Sequence, residues 1–299
     1  MKPFSDGWQS TSDNEEIAVT ERIGILHPGE MGISVAASAQ NSGCEVYWVS
    51  QGRRGPTRER AVKFRLRDAE TLPGLCRQCR IVVSVCPPHA AESLAAEVAS
   101  AGFRGIYVDA NAIAPQRTMK IGKMMSETGI TFVDGGIIGS PAWKAETTCM
   151  YLSGPHASEV ANCFKAGPLD TKVIGAGVGK ASALKMCYAA NTKGTVALLA
   201  AILATAETLG VREELFEQWR HEDPAFPAQA QKRIQGAAPK AWRWVGEMEE
   251  IAKTFGEAGL PGGFHSSAAN IYQRLARFKD SNTPVTPEEI LGALREQGD

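Results

Sequence analysis

One short stretch decides the fold, and it reads Leu26-His27-Pro28-Gly29-Glu30-Met31-Gly32. An apolar run typical of a buried strand comes before it, and a helical pattern follows it. A helix that begins at such a turn binds phosphate groups, because its first backbone amides and its dipole both face the anion. A side chain at the second glycine position would block that approach, and Gly29 fills this position. The stretch therefore predicts a site for the pyrophosphate of a dinucleotide.

Gly32 fills the third glycine position, where the helix packs against the strand, whereas His27 replaces the first glycine. An ordinary turn between a strand and a helix is the alternative interpretation. A second predicted strand follows at the distance that a dinucleotide fold requires, which favours the binding turn. We expect cofactor contacts from His27, Pro28, Gly29, Glu30, Met31 and Gly32.

The loop after the second predicted strand carries cations where a carboxylate is usual. Sites for NAD place Asp or Glu there to hold the ribose 2′-hydroxyl. This chain has Ser50, Arg53 and Arg54 in that loop, and two adjacent guanidinium groups match a dianionic phosphate. The alternative is a solvated basic loop. The sequence predicts NADP (NADPH) as the cofactor, held in part by these three residues.

Working outward, short apolar runs alternate with amphipathic stretches from residue 22 to about residue 175. Strands are predicted at 22–26, 45–49, 81–85, 105–109, 131–134 and 149–153, and helices at 31–42, 56–62, 90–100, 116–128 and 157–164. This alternation is typical of a mainly parallel sheet covered on both faces.

The pattern changes after residue 178. One long helix is predicted over 179–209, and shorter helices at 213–220, 228–235, 240–258, 263–276 and 287–296. No strand is predicted after residue 180. We therefore predict an α/β protein with a flexible tail over 1–20, a Rossmann dinucleotide-binding domain over 21–178 and an all-helical domain over 179–299.

Composition excludes several classes of partner. The formal net charge of −1 gives no basic field that would attract nucleic acid or an anionic membrane. We find no uninterrupted apolar run long enough to span a bilayer, and the polar N-terminus has no signal core. We expect a cytoplasmic protein with a small-molecule substrate, without nucleic-acid or membrane partners.

The chain has 7 cysteines, an odd number, mostly in apolar contexts that suit reduced thiols. Cys76 and Cys79 have the spacing of a metal or redox pair, but no second pair follows at zinc-site spacing. We predict no metal site and expect these two cysteines to lie where a helix end packs on the sheet.

Two further loops follow strands at the edge where α/β sheets bind ligands. One contains Val85, Cys86 and Pro87, and the other contains Asn111. The prolines rigidify loops that can lie along a cofactor, and Asn111 can offer its amide to the nicotinamide or to a substrate oxygen. His89 is interpreted as the start of the next helix.

Lys185 is the strongest catalytic candidate. It lies about two turns into the long helix, among apolar neighbours, shortly after the glycines at 175, 177 and 179. Burial lowers the proton affinity of a lysine, which suits a general acid or base. The alternative is a lysine that extends from the helix edge to solvent.

These motifs together resemble the β-hydroxyacid dehydrogenase superfamily, which includes 6-phosphogluconate and 3-hydroxyisobutyrate dehydrogenases and is related to imine reductases. The resemblance covers residues 22–276 and is most similar to a phosphogluconate-dehydrogenase-like branch with its own helical domain. The stretch 243–251, Arg-Trp-Val-Gly-Glu-Met-Glu-Glu-Ile, looks like a signature of that branch. The resemblance implies that Lys185 is the catalytic acid/base and that the protein is a homodimer through the helical domain.

The chain departs from the family pattern at two places. The family has Asn one turn after the lysine, whereas this chain has Tyr188 and Ala189, with Asn191 further on. Tyr188 is therefore the second catalytic candidate. The stretch 134–141 aligns with the family's substrate loop, but Ile138 replaces its Ser. We expect the substrate to contact Ile137, Ile138, Gly139, Ser140, Asn191 and Trp244.

The sequence thus predicts an NADP-dependent oxidoreductase that transfers hydride between nicotinamide and a small hydroxyacid, alcohol or carbonyl compound. Two alternatives stay open. The apolar pair Ile137 and Ile138 favours an NADPH-dependent imine reductase on the same fold. A non-catalytic NADP-binding sensor would keep Gly29 and the arginines but would not depend on Lys185. Trp242, Trp244, Phe264 and His265 are candidates for lining a less polar substrate pocket.

Overall fold

The strands of the N-terminal half form because short Ile- and Val-rich runs can be buried on both faces of a sheet. The computed structural model describes residues 20–279, 281 and 283–296, so residues 1–19 of the predicted tail lie outside it. The strands are β1 (Arg22–Ile25), β2 (Glu45–Trp48), β3 (Arg67–Asp68), β4 (Ile81–Ser84), β5 (Ile106–Asp109), β6 (Thr131–Gly139), β7 (Thr148–Ser153) and β8 (Asp170–Val173).

All eight strands belong to one sheet with the order β3-β2-β1-β4-β5-β6-β7-β8. The strands from β1 to β6 pair in parallel. β7 is antiparallel to β6, and β8 is parallel to β7. The order reverses between β1 and β4, so a crevice opens outside the carboxyl ends of these two strands, where open α/β sheets bind ligands. The predicted Rossmann architecture is confirmed.

Six helices cover the faces of the sheet: α1 (Glu30–Asn41), α2 (Gly55–Lys63), α3 (Leu72–Gln78), α4 (Ala91–Ser100), α5 (Pro115–Glu127) and α6 (Ala157–Asn162). Side chains of α1 and α6 share one core with the sheet, and side chains of α3, α4 and α5 share the other. The predicted strands and helices agree with these bounds within a few residues. β3 and β8 were missed, because β3 spans two residues and β8 has no fully buried residue. α3 is the helix that was expected to end near Cys76 and Cys79.

The stretch that aligns with a substrate loop, 134–141, lies mostly in a strand instead. β6 continues through Gly135 and Gly136 to Gly139, which pairs with Thr148 of β7. Glycine weakens strands, so the sequence pattern ended the strand at Asp134. Close packing explains the glycines: a Cβ on Gly136 would lie 2.6 Å from the carbonyl oxygen of Ala181.

The C-terminal half contains α7 (Lys180–Leu209), α8 (Arg212–Glu222), α9 (Phe226–Ala237), α10 (Ala241–Glu257), α11 (Gly263–Leu275) and α12 (Pro287–Arg295). The described residues after 180 form no strand, as predicted. α7 packs against α9, α10, α11 and α12. Together these helices enclose one core that includes Met186, Leu203, Met248, Ile251 and Tyr272.

By length and composition α7 is long and apolar enough to cross a membrane, with a mean hydropathy of 1.3 over 18 residues. This differs from the sequence analysis, which found no such run. Half of that window is buried inside the protein, and core helices of soluble proteins have the same properties. The hydropathy of α7 is therefore weak evidence for a membrane span.

Cys76 and Cys79 lie at the end of α3 and are buried against the sheet, as expected. Burial raises the pKa of Cys76 to about 11 and the pKa of Cys79 to about 12. Both side chains are free thiols, and at neutral pH they stay protonated and unreactive.

Candidate active site

The glycine turn between β1 and α1 is closed by its own backbone. The amide of Gly29 donates to the carbonyl oxygen of His27 at 2.8 Å. A Cβ on Gly32 would lie 2.0 Å from that same oxygen, so only glycine fits there. A Cβ on Gly29, in contrast, would meet no heavy atom within 4 Å. The space beside Gly29 is therefore open to a ligand at the start of α1.

The His27 side chain points into the protein beside this turn. Burial, together with the nearby Arg53, lowers the pKa of its imidazole to about 4. The ring is therefore neutral at pH 7, and its Nδ1 is buried without a hydrogen-bond partner. Among its neighbours, Pro28 is buried and Glu30 is exposed at the first position of α1. An unpartnered polar atom at this place is consistent with a site that a polar ligand completes.

The two arginines of the loop after β2 point in different directions. The Arg53 side chain folds inward, and its Nη2 donates to the carbonyl oxygen of Leu26 at 3.0 Å. Its Nε is buried and has no partner. Arg54 is exposed at the start of α2. Arg58 holds the loop, because its Nη2 donates to the carbonyl oxygen of Ser50 at 2.8 Å. Arg53 thus lies at the end of β1, beside the crevice, and its buried Nε–H donor is unused.

Asn111 joins the loops that follow β4 and β5. Its Oδ1 accepts a hydrogen bond from the amide of Cys86 at 2.6 Å, and its Nδ2 donates to Ser84 Oγ at 3.1 Å. The side chain is buried. Val85 and Pro87 flank Cys86 at the edge of the crevice, with Pro87 exposed. Asn111 therefore fixes the shape of both loops. His89 is exposed in a 3-10 turn after Pro87.

Asp134 is a residue that the site prediction missed. This buried carboxylate accepts hydrogen bonds from the amides of Gly179 and Ala181 at 2.9 Å and of Ser182 at 3.1 Å. It also accepts from the Ser182 hydroxyl at 2.6 Å. A carboxylate that satisfies the first amides of a helix stabilises its N-terminus. Asp134 thus anchors the start of α7 on β6 and determines where Lys185 lies.

Lys185 lies against β6 because Gly136 has no side chain. A Cβ on Gly136 would lie 3.2 Å from the Lys185 Cβ, and the Lys185 Nζ donates to the carbonyl oxygen of Ile137 at 2.5 Å. Residues 134, 136 and 138 share one face of the strand, so Ile138 is on the side that faces α7. Burial, together with the nearby Lys193, lowers the pKa of Lys185 to about 8. An amine in this range exchanges protons readily near neutral pH.

The other predicted residues of α7, Tyr188 and Asn191, are exposed, Tyr188 to 48%. Thr195 Oγ1 donates to the Asn191 carbonyl oxygen at 2.6 Å. Neither Tyr188 nor Asn191 has a hydrogen bond to Lys185 among the contacts of the described residues. Within a single chain, their assigned roles stay predictions.

The structure brings two unpredicted residues close to Lys185 instead. Lys193 lies two turns further along α7 and forms an ion pair with Glu247 of α10. Their side chains are only 13% and 15% exposed. Burial acts to raise the pKa of Glu247, but Lys193 and Lys185 outweigh burial, and the pKa is lowered. The sequence analysis missed this pair, because a single sequence does not show which residues of two separate helices lie opposite each other.

The stretch 243–251 is explained by the contacts of α10. Arg243, Glu247 and Glu250 are spaced as i, i+4 and i+7, so they share one face of the helix. The Arg243 Nη1 lies 3.6 Å from a carboxylate oxygen of Glu30, next to the glycine turn. A Cβ on Gly246 would lie 4.0 Å from Pro88. This face of α10 thus runs along the loops that border the crevice.

Glu250 completes that face at the domain interface. Its Oε2 accepts from the backbone amide of Ala114 at 2.9 Å, just before α5 begins. Its Oε1 accepts from Arg117 Nη1 at 2.8 Å. The carboxylate is almost fully buried. The two domains are therefore joined by a satisfied ionic contact.

Two of the four aromatic candidates are buried or partly buried near Lys193, and two are half-exposed. Trp244 packs edge-on against Tyr272 with ring centroids 5.2 Å apart. His265 is buried between Phe255 and Phe264. Trp242 and Phe264 are 42% and 49% exposed. Of these four candidates, Trp244 is the one whose ring lies within cation–π range of Lys193, with 5.5 Å between Nζ and the ring centroid.

Comparison with known proteins agrees with this architecture. Residues 22–166 match the NAD binding domain of 6-phosphogluconate dehydrogenase, and residues 206–275 match a domain of unknown function (DUF1932). A 28.5 kDa protein of Methanothermus fervidus, itself uncharacterised, is 31% identical over 233 residues. The match spans 78% of this chain and 90% of that protein. The N-terminal half is thus an NAD-binding domain.

Solved structures show the same fold. The conserved protein MTH1747, of unknown function and described as similar to 3-hydroxyacid dehydrogenases, has a TM-score of 0.65 and 29% identity over 86% of this chain and 97% of its own. 3-Hydroxyisobutyrate dehydrogenase of Mycobacterium tuberculosis has a TM-score of 0.69 and 15% identity, over 93% of this chain and 100% of its own. An imine reductase of Myxococcus stipitatus shares the fold at a TM-score of 0.55 and 16% identity, over 93% of this chain and 100% of its own.

The geometry of the crevice agrees with these matches. The open space beside Gly29 and the unpartnered His27 Nδ1 and Arg53 Nε suit a dinucleotide. Together the matches indicate a dinucleotide-dependent oxidoreductase. The chain belongs to the β-hydroxyacid dehydrogenase superfamily, in the same family as the protein of Methanothermus fervidus.

Proposed function

We propose that the protein is an NADP-dependent oxidoreductase that uses Lys185 as its acid/base on a small hydroxyacid, alcohol or carbonyl substrate. The observation that carries the proposal is the partly buried Lys185 amine, held on the Ile137 carbonyl with a pKa near 8. The nicotinamide, when bound, supplies or accepts the hydride. The protein's own task is to hold the reacting carbon and to move a proton.

In the direction of reduction, the Lys185 ammonium gives its proton to the substrate oxygen. In the direction of oxidation, the neutral amine takes the proton back. The Ile137 carbonyl accepts from the amine in both states and so keeps it oriented. Asp134 and Gly136 contribute by fixing α7 on β6, which holds Lys185 at its place.

The preference for NADP rests on Arg53 and Arg54, in a loop where no carboxylate is present to hold a ribose 2′-hydroxyl. Arg53 has an unused Nε donor at the end of β1, and Arg54 is free to reach solvent from the start of α2. A 2′-phosphate would draw both guanidinium groups toward one ligand.

An imine reductase is the second candidate, and one observation favours it. Ile138 lies on the face of β6 that carries Gly136, below Lys185, where the family has a hydroxyl group. An apolar residue at this place suits a less polar substrate. The retained lysine favours carbonyl and alcohol chemistry over imine chemistry.

Fluorescence titration with NADPH and NADH, followed by turnover assays, tests the proposal. We expect NADPH to bind more tightly, and the double variant R53A/R54A to weaken NADPH binding far more than NADH binding. Lys185→Met should keep NADPH affinity and lose turnover by about 100-fold or more. Screening ketoacids, aldehydes and cyclic imines separates the two reactions. If neither NADPH nor NADH binds, the proposal is overturned. Full turnover by Lys185→Met would remove the catalytic role of Lys185, and absence of turnover with every substrate would leave only a cofactor-binding sensor.

We also propose a homodimer through the helical domain. α7 exposes a stripe at the spacing of a heptad seam, in which Leu184, Tyr188 and Leu198 are 37%, 48% and 45% exposed. Asn191 is exposed on the same stripe. Burying this stripe against a second copy would remove large apolar side chains from water and bring the partner chain beside Lys185.

A further inference from the structure

A second lysine lies in the candidate active site without a role in the proposed chemistry. Lys193 follows Lys185 by eight residues on α7, which places the two side chains about 80° apart around the helix. The Lys193 side chain is 13% exposed. A lysine that is so far removed from water is destabilising unless it is paired or functional.

Two groups hold the Lys193 ammonium in one position, and a third bonds to the backbone of the same residue. Its ammonium forms an ion pair with Glu247 of α10. The Nζ lies 5.5 Å from the centroid of the Trp244 ring, within range of a cation–π interaction. The Tyr272 hydroxyl donates to the backbone carbonyl of Lys193 at 2.7 Å. A preorganised cation of this kind is suited to binding an anion.

The charges in this part of the site do not balance when Lys185 is protonated. Lys185 and Lys193 then carry two positive charges, and Glu247 supplies one negative charge. Arg243 also acts on Glu247, although its own ion-pair partner is Glu30. One further negative charge would satisfy the group. A ligand with a single carboxylate supplies that charge.

The chain also lacks two polar side chains that the resemblance places around the substrate. Ile138 replaces the Ser of the family's substrate loop, and Ala189 stands one turn after Lys185 where the family has Asn. A substrate acid would therefore need another binding residue on the face of α7 that carries Lys185. Lys193 is the cation that the structure places there.

We infer that Lys193, positioned by Glu247, binds a carboxylate group of the substrate, and that the substrate is therefore an acid rather than a neutral carbonyl compound or a cyclic imine. The inference rests on the proposed function, because it assumes that Lys185 marks the reacting end of the same ligand. Glu247 acts through Lys193 and is a positioning residue.

Calorimetric titration of the full chain with matched acids and primary amides tests the inference without turnover. Suitable pairs are glycolate, 3-hydroxypropionate and 3-hydroxybutyrate with their amides. We expect at least one acid to bind the wild type about 10-fold or more tightly than its amide. Lys193→Met should weaken that acid by about 10- to 100-fold, as expected for loss of a charged hydrogen bond, and leave the amide unchanged. Lys193→Arg should bind the acid more tightly than Lys193→Met does. Glu247→Asp should weaken acid binding less than Glu247→Gln does.

Lys279→Met is the matched control. The Lys279 Nζ lies 4.2 Å from the centroid of the Trp242 ring, and Trp242 is on α10 like Trp244, so this variant also removes a lysine that contacts a tryptophan of that helix. It should bind the acid as the wild type does. If Lys193→Met leaves Glu247 unpaired and fails to fold, the double variant K193M/E247L replaces the buried pair by apolar side chains, which proteins often tolerate. This variant should fold and still lose the preference for the acid. Equal binding of acids and amides by the wild type, or unchanged acid binding by either variant, would overturn the inference. A separate NADPH titration shows whether the cofactor proposal stands independently.

Discussion

The side-chain carboxylate of Glu250 caps the backbone amide of Ala114, with 2.9 Å between Oε2 and the amide nitrogen. One residue of the helical domain thus closes the first turn of a helix in the NAD-binding domain. The same carboxylate binds Arg117 through its other oxygen. The relative position of the two domains, and therefore the width of the crevice, depends on this contact.

Replacing Glu250 by Gln should destabilise the protein. Gln keeps an acceptor for the Ala114 amide but removes the charge that faces the Arg117 guanidinium. Because Arg117 is only 20% exposed, we expect a loss of about 1–3 kcal/mol in the free energy of unfolding. Chemical denaturation measures this loss. Glu249→Gln is the matched control, because Glu249 is its exposed neighbour on α10, and it should change stability by about 0.5 kcal/mol or less. Equal losses in both variants would contradict the role of Glu250.

Gly29 and Gly32 should respond differently to alanine, although they are three residues apart. The new methyl group at Gly29 meets no atom within 4 Å and the backbone φ is −70°, so folding should be unaffected. The methyl group nevertheless fills the space that a pyrophosphate needs, and NADPH affinity should fall by about 10-fold or more. At Gly32 the methyl group would lie 2.0 Å from the His27 carbonyl oxygen, so the fold itself should lose about 1–3 kcal/mol.

Nucleotide titration and thermal unfolding of both variants test this contrast. Gly236→Ala provides the control, because a Cβ there also meets nothing within 4 Å but the residue is on α9. It should leave NADPH affinity at the wild-type value and should not lower the thermal stability, because alanine favours a helix more than glycine does. Wild-type NADPH affinity in Gly29→Ala would mean that the phosphates lie elsewhere.

The pH dependence of turnover should follow the charge of Lys185. Burial and Lys193 lower its pKa to about 8, whereas Glu247 raises it. Reduction requires the ammonium form, so its rate should fall as the pH rises through about 8. Oxidation requires the neutral amine, so its rate should rise over the same range. Lys193→Met removes a like charge and should move both profiles to higher pH, and Glu247→Gln should move them to lower pH.

Initial rates between pH 6 and pH 10 in both directions provide the measurement. Lys279→Met removes a lysine elsewhere in the helical domain and should leave the profile in place. A profile that shifts in the same direction for Lys193→Met and Glu247→Gln would exclude electrostatic control of Lys185 by this pair.

The elements that the sequence predicted well are those with a strong local pattern. Gly29 and Gly32 identified the binding turn, and the alanine- and leucine-rich composition of 179–209 defined α7 almost to the residue. Single residues in long-range contacts were missed for a physical reason. Asp134 caps a helix that begins 46 residues later, and Glu247 pairs with a lysine 54 residues earlier. The hydrophobic pattern of a single helix or strand contains no information about such long-range pairs.

The prediction was also incomplete where a residue type has two uses. Asn111 was interpreted as a ligand contact, but its amide is bonded to Ser84 and Cys86. Arg53 was expected to bind the 2′-phosphate of NADP, and in the structure its Nη2 donates to the Leu26 carbonyl oxygen just after β1. Gly135 and Gly136 ended the predicted strand, although β6 uses them for close packing against its neighbours. Their roles depend on neighbours that only the fold defines.

The exposed stripe of α7 gives a prediction about assembly. Leu198 is 45% exposed and lies 14 residues after Leu184, four helical turns along the same seam. A charge at the centre of a buried helix pair is strongly unfavourable, so Leu198→Glu should convert a dimer into a monomer. Leu260→Glu places the same charge on a leucine that is 56% exposed between α10 and α11, and it should leave the dimer intact. Sedimentation equilibrium of the wild type and both variants distinguishes the outcomes. A monomeric wild type would mean that the stripe does not bind a second copy, and the partner chain would then have no part in the site around Lys185.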